Sequence, residues 1–127
     1  MELYFLTYED VISIHIDQIK RYGGKNGLRD ENLLLSAIAQ PQSGFGGQYL
    51  HNTIVDKAAA YLFHVCQNHP FLDGNKRVAV VSALAFLAMN DCDIDFDPDE
   101  LENLVRSVAQ GQCKKDQIAE FLSKSLG

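Results

Sequence analysis

Residues 75–90 read NKRVAVVSALAFLAMN, and the reading of this stretch decides the fold. From Val78 to Met89 the sole polar residue is Ser82, so a helix built here is apolar on nearly every face and is expected to be packed on all sides. At about 16 residues it would extend about 24 Å, enough to cross a small domain from one surface to the other. Its polar start, Asn75-Lys76-Arg77, is then expected at a surface.

Working outward, glycine and proline punctuate the chain at 23–27, 41–47, 70–74 and 98, with Gly111 beyond. The intervals between them carry helical patterns. Thr7, followed by Glu9 and Asp10, caps a first helix whose apolar stripe is Val11, Ile12, Ile16 and Ile19 and which Gly23 and Gly24 stop. Asp30 caps a second, Glu31 to Gln40, ended by Pro41. A third runs from about Thr53 to Gln67, with Ile54, Ala58, Tyr61, Leu62 and Val65 on one side. Beyond the central segment, Asp97 and Pro98 start a fifth helix ending near Gly111, and Lys114 to Leu126 makes a sixth. Strand signals are limited to Leu3–Leu6 and Ile94–Phe96. The expected architecture is all-α, a bundle of about six helices around the buried segment at about 75–90, in a single domain over residues 1–127.

The chain's 127 residues suit one domain at roughly 150 residues per domain. With 46% hydrophobic and 22% charged residues it belongs among soluble globular proteins rather than disordered ones. No apolar run reaches the roughly 18 residues that span a bilayer. The start, MELYFLTYEDV, shows neither a basic leader nor a small-residue cleavage site, so a cytoplasmic protein without a membrane is expected. A net charge of −6 argues against a broad nucleic-acid surface, since such surfaces work by neutralising phosphates. The excess is local, because residues 91–102 hold seven acids and no base, leaving ten acids against eleven bases elsewhere. Six of those acids fall at the ligand positions of a calcium-binding EF-hand loop, but Phe96 stands where that loop needs glycine. Alternation of Ile94 and Phe96 with Asp93, Asp95 and Asp97 suits an extended segment with its acids outward. Cys66, Cys92 and Cys113, odd in number and widely spaced, read as free thiols of a reducing compartment, with Cys66 in the core. His15 and His51 stand alone and are expected at the surface.

His69-Pro70-Phe71-Leu72-Asp73-Gly74-Asn75-Lys76-Arg77 leads into the central helix. A glycine turn entering a helix presents unpaired N–H groups and the positive end of the helix dipole, which together hold an anion such as phosphate. Lys76 and Arg77 reinforce that field. Asp73 supplies a hard oxygen for Mg²⁺, Asn75 an amide donor for phosphate oxygen, and His69 a base for an attacking hydroxyl. Singly, each has a plainer reading: Asp73-Gly74-Asn75 is a common turn, and a histidine before proline can cap a helix end. Pro70 and Phe71 read as structural. Together the residues meet the needs of phosphoryl or nucleotidyl transfer, where positioning and charge neutralisation do most of the work.

The segment resembles the signature of Fic proteins, His-Pro-Phe-x-Asp/Glu-Gly-Asn-Gly-Arg-x-x-Arg, at His69, Pro70, Phe71, Asp73, Gly74, Asn75 and Arg77. Lys76 replaces the second glycine and Val80 the final arginine, substitutions typical of the death-on-curing (Doc) branch. Arg21-Tyr22-Gly23-Gly24, Pro41-Gln42, Phe45-Gly46-Gly47-Gln48 and Lys57-Ala58-Ala59-Ala60 extend the likeness to most of the chain. Fic proteins generally transfer the AMP part of ATP to a target hydroxyl. A lysine in the turn puts a cationic stem where backbone would approach phosphate, and loss of the arginine removes a bidentate clamp. For the Doc branch the resemblance implies a reversed nucleotide that offers its γ-phosphate. The implied protein is an ATP- and Mg²⁺-dependent kinase toxin acting on a threonine of elongation factor Tu. His69 is then the general base, Asp73 the Mg²⁺ ligand, and Gly74, Asn75, Lys76 and Arg77 the nucleotide-binding residues. AMP transfer is the enzymatic alternative, and a catalytically silent, antitoxin-binding corepressor is the other.

The resemblance also implies a flap at Ser43–Leu50 that holds the target peptide. Self-restrained Fic proteins carry an inhibitory Ser/Thr-x-x-x-Glu-Gly/Asn helix. Here Glu31-Asn32 and Glu102-Asn103 are preceded, four places back, by Gly27 and Pro98, so restraint is expected in trans from a Phd-like antitoxin. The toxin itself is expected to make no direct nucleic-acid contact.

Overall fold

In the computed structural model, which describes residues 3–45, 48–49 and 53–126, helix α1 (Tyr8–Tyr22) starts at a capping box. The Thr7 hydroxyl accepts from the Asp10 N–H, and the Asp10 carboxylate accepts from the Thr7 N–H. Gly23, at φ 83°, ends it. Asp30 caps α2 (Glu31–Ala39) by accepting from the Leu33 N–H. Pro41 does not stop the chain at once, because it sits in one further 3₁₀ turn, Gln40–Gln42. A second capping box, Thr53 with Asp56, opens α3 (Ile54–Asn68). The remaining helices are α4 (Asn75–Met89), α5 (Pro98–Ala109) with Asp97 as its cap, and α6 (Lys115–Lys124). The architecture is the expected all-α bundle of six helices.

Two two-residue strands interrupt it, β1 (Gly44–Phe45) and β2 (Gln48–Tyr49), paired antiparallel with Gly44 opposite Tyr49 and Phe45 opposite Gln48. They lie inside the segment expected as a flap, whose Gly46, Gly47 and Leu50 are outside the described residues, as is His51. Neither sequence-level strand signal forms a regular strand. Leu3–Leu6 packs on the bundle, held where the Tyr61 hydroxyl accepts from the Leu6 N–H and Asn90 pairs with the Tyr4 backbone. Ile94 makes a single bridge to Leu126. Around it Cys92, Ile94 and Phe96 are half-buried while Asp91, Asp93, Asp95 and Asp97 are exposed, the alternation read from the sequence.

The centre of the bundle is shared by α3 and α4, which pack on each other more extensively than any other pair. α3 also meets α2, α5 and α6, and its run Ala58–Leu62 is buried throughout. α4 buries Val78, Ala79, Ser82, Ala83, Phe86 and Leu87. The expectation that α4 is packed on all sides is corrected on its remaining face, where Val80, Val81 and Leu84 are half-buried and line a groove. A bundle of six short helices has too few neighbours to cover both central members completely.

On α1 the apolar stripe also differs from its reading. The buried residues are Val11, His15 and Gln18, one face at helical spacing, whereas Ile16 is 49% exposed. His15, expected at the surface, is 2% exposed, because its face is the one that packs against α4 and the turn before it. All three cysteines are free, and burial pushes each thiol up from its ordinary value. No helix among the described residues is long and apolar enough to cross a membrane.

Candidate active site

α3 ends on His69 in the left-handed conformation, φ 52° and ψ 53°. This turns the chain sharply at the start of residues 69–74, which link the two helices that share the core. Loop 23–30 forms the backrest of that link. The Arg29 and Asp30 N–H groups donate to the Pro70 carbonyl at 2.7 and 3.0 Å, Leu28 bridges Phe71, and the Leu72 N–H donates to the Gly27 carbonyl at 3.0 Å. The Arg29 guanidinium donates to the Asn68 and His69 carbonyls at 2.9 and 2.6 Å, occupying acceptors that the end of α3 leaves open. Phe71, 1% exposed, pins the loop into the core as expected.

The turn is closed from inside by Asn75. Its side-chain oxygen accepts from the Phe71 N–H and its amide donates to the Phe71 carbonyl, both at 2.9 Å, and it is 4% exposed. One of the two N–H groups of that amide is thus spent inside the turn, so the side chain expected as a phosphate donor also shapes the turn that holds it. Gly74 precedes α4 at φ 82°, and no side chain caps the helix. The first-turn N–H groups thus keep the anion-binding character expected of an open helix start.

At this helix start lies a cavity of about 340 Å³ lined by His69, Asp73, Gly74, Asn75, Lys76 and Arg77, with Cys66, Gln67, Leu72 and Ala109 on its other walls. All six residues singled out from the sequence therefore lie around one space. Asp73 is exposed there, its carboxylate accepting from the Lys25 N–H at 3.2 Å and the Gly74 N–H at 2.9 Å. Those two N–H groups, the first the stronger, hold its carboxyl below the ordinary carboxylate range, with Arg77 and His15 adding to the effect. Arg77 is half-buried and donates to the Gln18 and Gly23 carbonyls at 3.4 and 3.0 Å, so it ties the end of α1 to α4 while flanking the cavity. Lys76 is exposed.

A sequence profile of the Fic/DOC family matches residues 5–87, a stretch that includes the whole of this turn. The chain belongs to the Fic/DOC family. It is 40% identical over 104 residues to Toxin Doc of Mycolicibacterium smegmatis, covering 80% of each chain. It is 32% identical over 122 residues to Protein kinase doc of Escherichia phage P1, covering 96% of this chain and 95% of the phage protein. Both likenesses bear out the Doc branch read from Lys76 and Val80.

Loop 23–30 contributes residues that sequence reasoning did not assign. Gly24 stands at φ 116°, a conformation that L side chains rarely adopt, and a Cβ there would lie 2.6 Å from Asp73 Oδ2, so the carboxylate would have to move. Gly27 is likewise pressed on Leu72, 2.8 Å from where its Cβ would be. The glycine cluster was visible as a helix stop, but its contact with a turn more than 40 positions away was not.

Proposed function

We propose that this protein is the toxin of a toxin–antitoxin pair and transfers the γ-phosphate of ATP to a protein hydroxyl, with a threonine of elongation factor Tu as the acceptor. The observation that carries this reading is the uncapped start of α4 opening on the cavity that His69 and Asp73 flank. The names of the two relatives, a toxin and a protein kinase, support it.

In this mechanism the first-turn N–H groups of α4 and the Lys76 ammonium hold the triphosphate and offset its charge. His69 takes the proton of the attacking hydroxyl. Mg²⁺ fits as the companion of the nucleotide. Asp73 is an exposed carboxylate kept ionised by its N–H partners, while the described residues contain no group of three metal-binding side chains. That pattern suits an ion held by one carboxylate, phosphate oxygens and water rather than by a protein cage. When bound, the ion would supply charge neutralisation on the phosphates, and Asp73 would hold it. The β1–β2 hairpin would lie along the target peptide.

Restraint comes from an antitoxin in trans. The groove beside α4, about 700 Å³, is lined by Val80, Val81, Leu84, Phe96, Leu101 and Val105 and shares Lys76 and Arg77 with the smaller cavity. An apolar helix of a Phd-like partner laid in it would reach the phosphate-binding residues.

The test uses the purified protein with Mg²⁺, cell lysate and ATP labelled at the α or the γ phosphate. Label on a protein from γ-ATP alone is expected. Label from α-ATP would replace the kinase with an AMP transferase, and label from neither would leave a silent antitoxin-binding module.

A further inference from the structure

We propose that His15, on α1, is a positioning residue that fixes the peptide plane between Asp73 and Gly74 and so sets the geometry of the phosphate-binding turn; this rests on the nucleotide-binding reading above. His15 is 2% exposed. Its ring lies parallel to Phe71, with centroids 3.9 Å apart and planes 5° from parallel. Its Nε2 is 2.9 Å from the Asp73 carbonyl oxygen. A carbonyl only accepts, so that nitrogen carries the hydrogen and donates.

A phenylalanine would fill the same space and stack on Phe71 equally well, so packing alone does not call for a polar ring here. The peptide plane explains the nitrogen. In a trans peptide the carbonyl and the following N–H point in opposite directions. Holding the Asp73 carbonyl against α1 therefore turns the Gly74 N–H the other way, where it donates to Asp73 Oδ1 at 2.9 Å. One hydrogen bond from α1 thus sets both the direction of that N–H and the seat of the carboxylate. The tether matters because Gly74 stands at φ 82°, and glycine allows the plane to rotate at little steric cost. His69 has separate anchors, the Arg29 bonds to the end of α3. Loss of the His15 donor should then disturb phosphate holding more than proton removal.

Three variants separate these roles. His15→Phe keeps the ring and loses the donor; His15→Gln places an amide nitrogen near the position of Nε2; His15→Asn is one carbon shorter and falls short of the carbonyl. Each is checked for folding by thermal melting, then titrated calorimetrically with ATP and Mg²⁺ and assayed for phosphate transfer. For His15→Phe and His15→Asn the Kd and KM for ATP should rise about tenfold, the size of one lost hydrogen bond. In both, kcat should stay within about threefold. His15→Gln should recover most of the affinity. Wild-type affinity in a folded Phe or Asn variant overturns the proposal, as does a folded Gln variant no better than Asn. Should the Phe variant not fold, the Gln and Asn pair decides alone. If the wild-type protein binds no ATP, the nucleotide-binding function itself fails, and this inference with it.

Discussion

His69 occupies a backbone conformation that costs a non-glycine residue on the order of 1 kcal/mol, with φ at 52°. The Arg29 guanidinium and the Pro70 clamp from loop 23–30 offset that cost and leave the imidazole exposed beside Asp73 and Lys76. Replacement of His69 by alanine should lower phosphate transfer on the order of 10² to 10⁴-fold, with the thermal midpoint shifted by only a few degrees. Transfer assays alongside melting curves check both halves. Gly24→Ala should fail differently. A methyl group 2.6 Å from Asp73 Oδ2, on a residue at φ 116°, must push the carboxylate or the loop aside. Stability should fall by about 1–3 kcal/mol in urea unfolding, and transfer should fall with it. His69, Asp73 and Lys76 could be read from the sequence because they lie within a few positions of one another. His15, Arg29 and Gly24 could not, because they meet the turn across 40 to 58 positions, a distance that only tertiary packing closes.

Among the elements, helix boundaries were the most legible feature. Thr7, Asp30, Thr53 and Asp97 all accept the N–H bonds expected of caps, so local chemistry decides where those helices begin. Faces were less legible. Ile16 is exposed and Gln18 buried on α1, since which stripe faces inward depends on what lies opposite, here α4 and the turn. α3 carries a titratable group that reports on its own packing. Burial pushes the Tyr61 phenol up to about 12, against an ordinary value of 10.0, while its oxygen accepts from the Leu6 N–H. In the unfolded chain this tyrosine loses its proton near its ordinary value, and in the native state only near the raised one. Over that interval the native state binds more protons, so its stability should decline as pH rises. Alkaline unfolding curves on the wild type and Tyr61→Phe should show a shallower decline in the variant. Equal slopes would remove Tyr61 as the source.

At the scale of the molecule, two recesses share one border. The small cavity is the one lined by His69 and Asp73, to which the proposed function assigns the chemistry, and the larger apolar groove meets it at Lys76 and Arg77. The groove went unread in the sequence because Val80, Val81 and Leu84 belong to the most apolar run of the chain, where burial on every side was the natural expectation. Under the proposed antitoxin placement, Leu84→Glu should leave phosphate transfer by the isolated protein intact and abolish neutralisation by the antitoxin. Growth rescue on co-expression, measured beside transfer activity, checks this. Rescue undiminished by the charge would move the partner elsewhere.

The central claim is that the open start of α4 holds a nucleotide's phosphates, and the backbone amides of that turn report on it directly. In ¹H–¹⁵N spectra recorded while ATP and Mg²⁺ are added, the amides of Asn75, Lys76 and Arg77 should show the largest shifts, with Gly74 following. Saturation with nucleotide that leaves those amides unmoved, while resonances around the α4–α5 groove shift, would contradict the account.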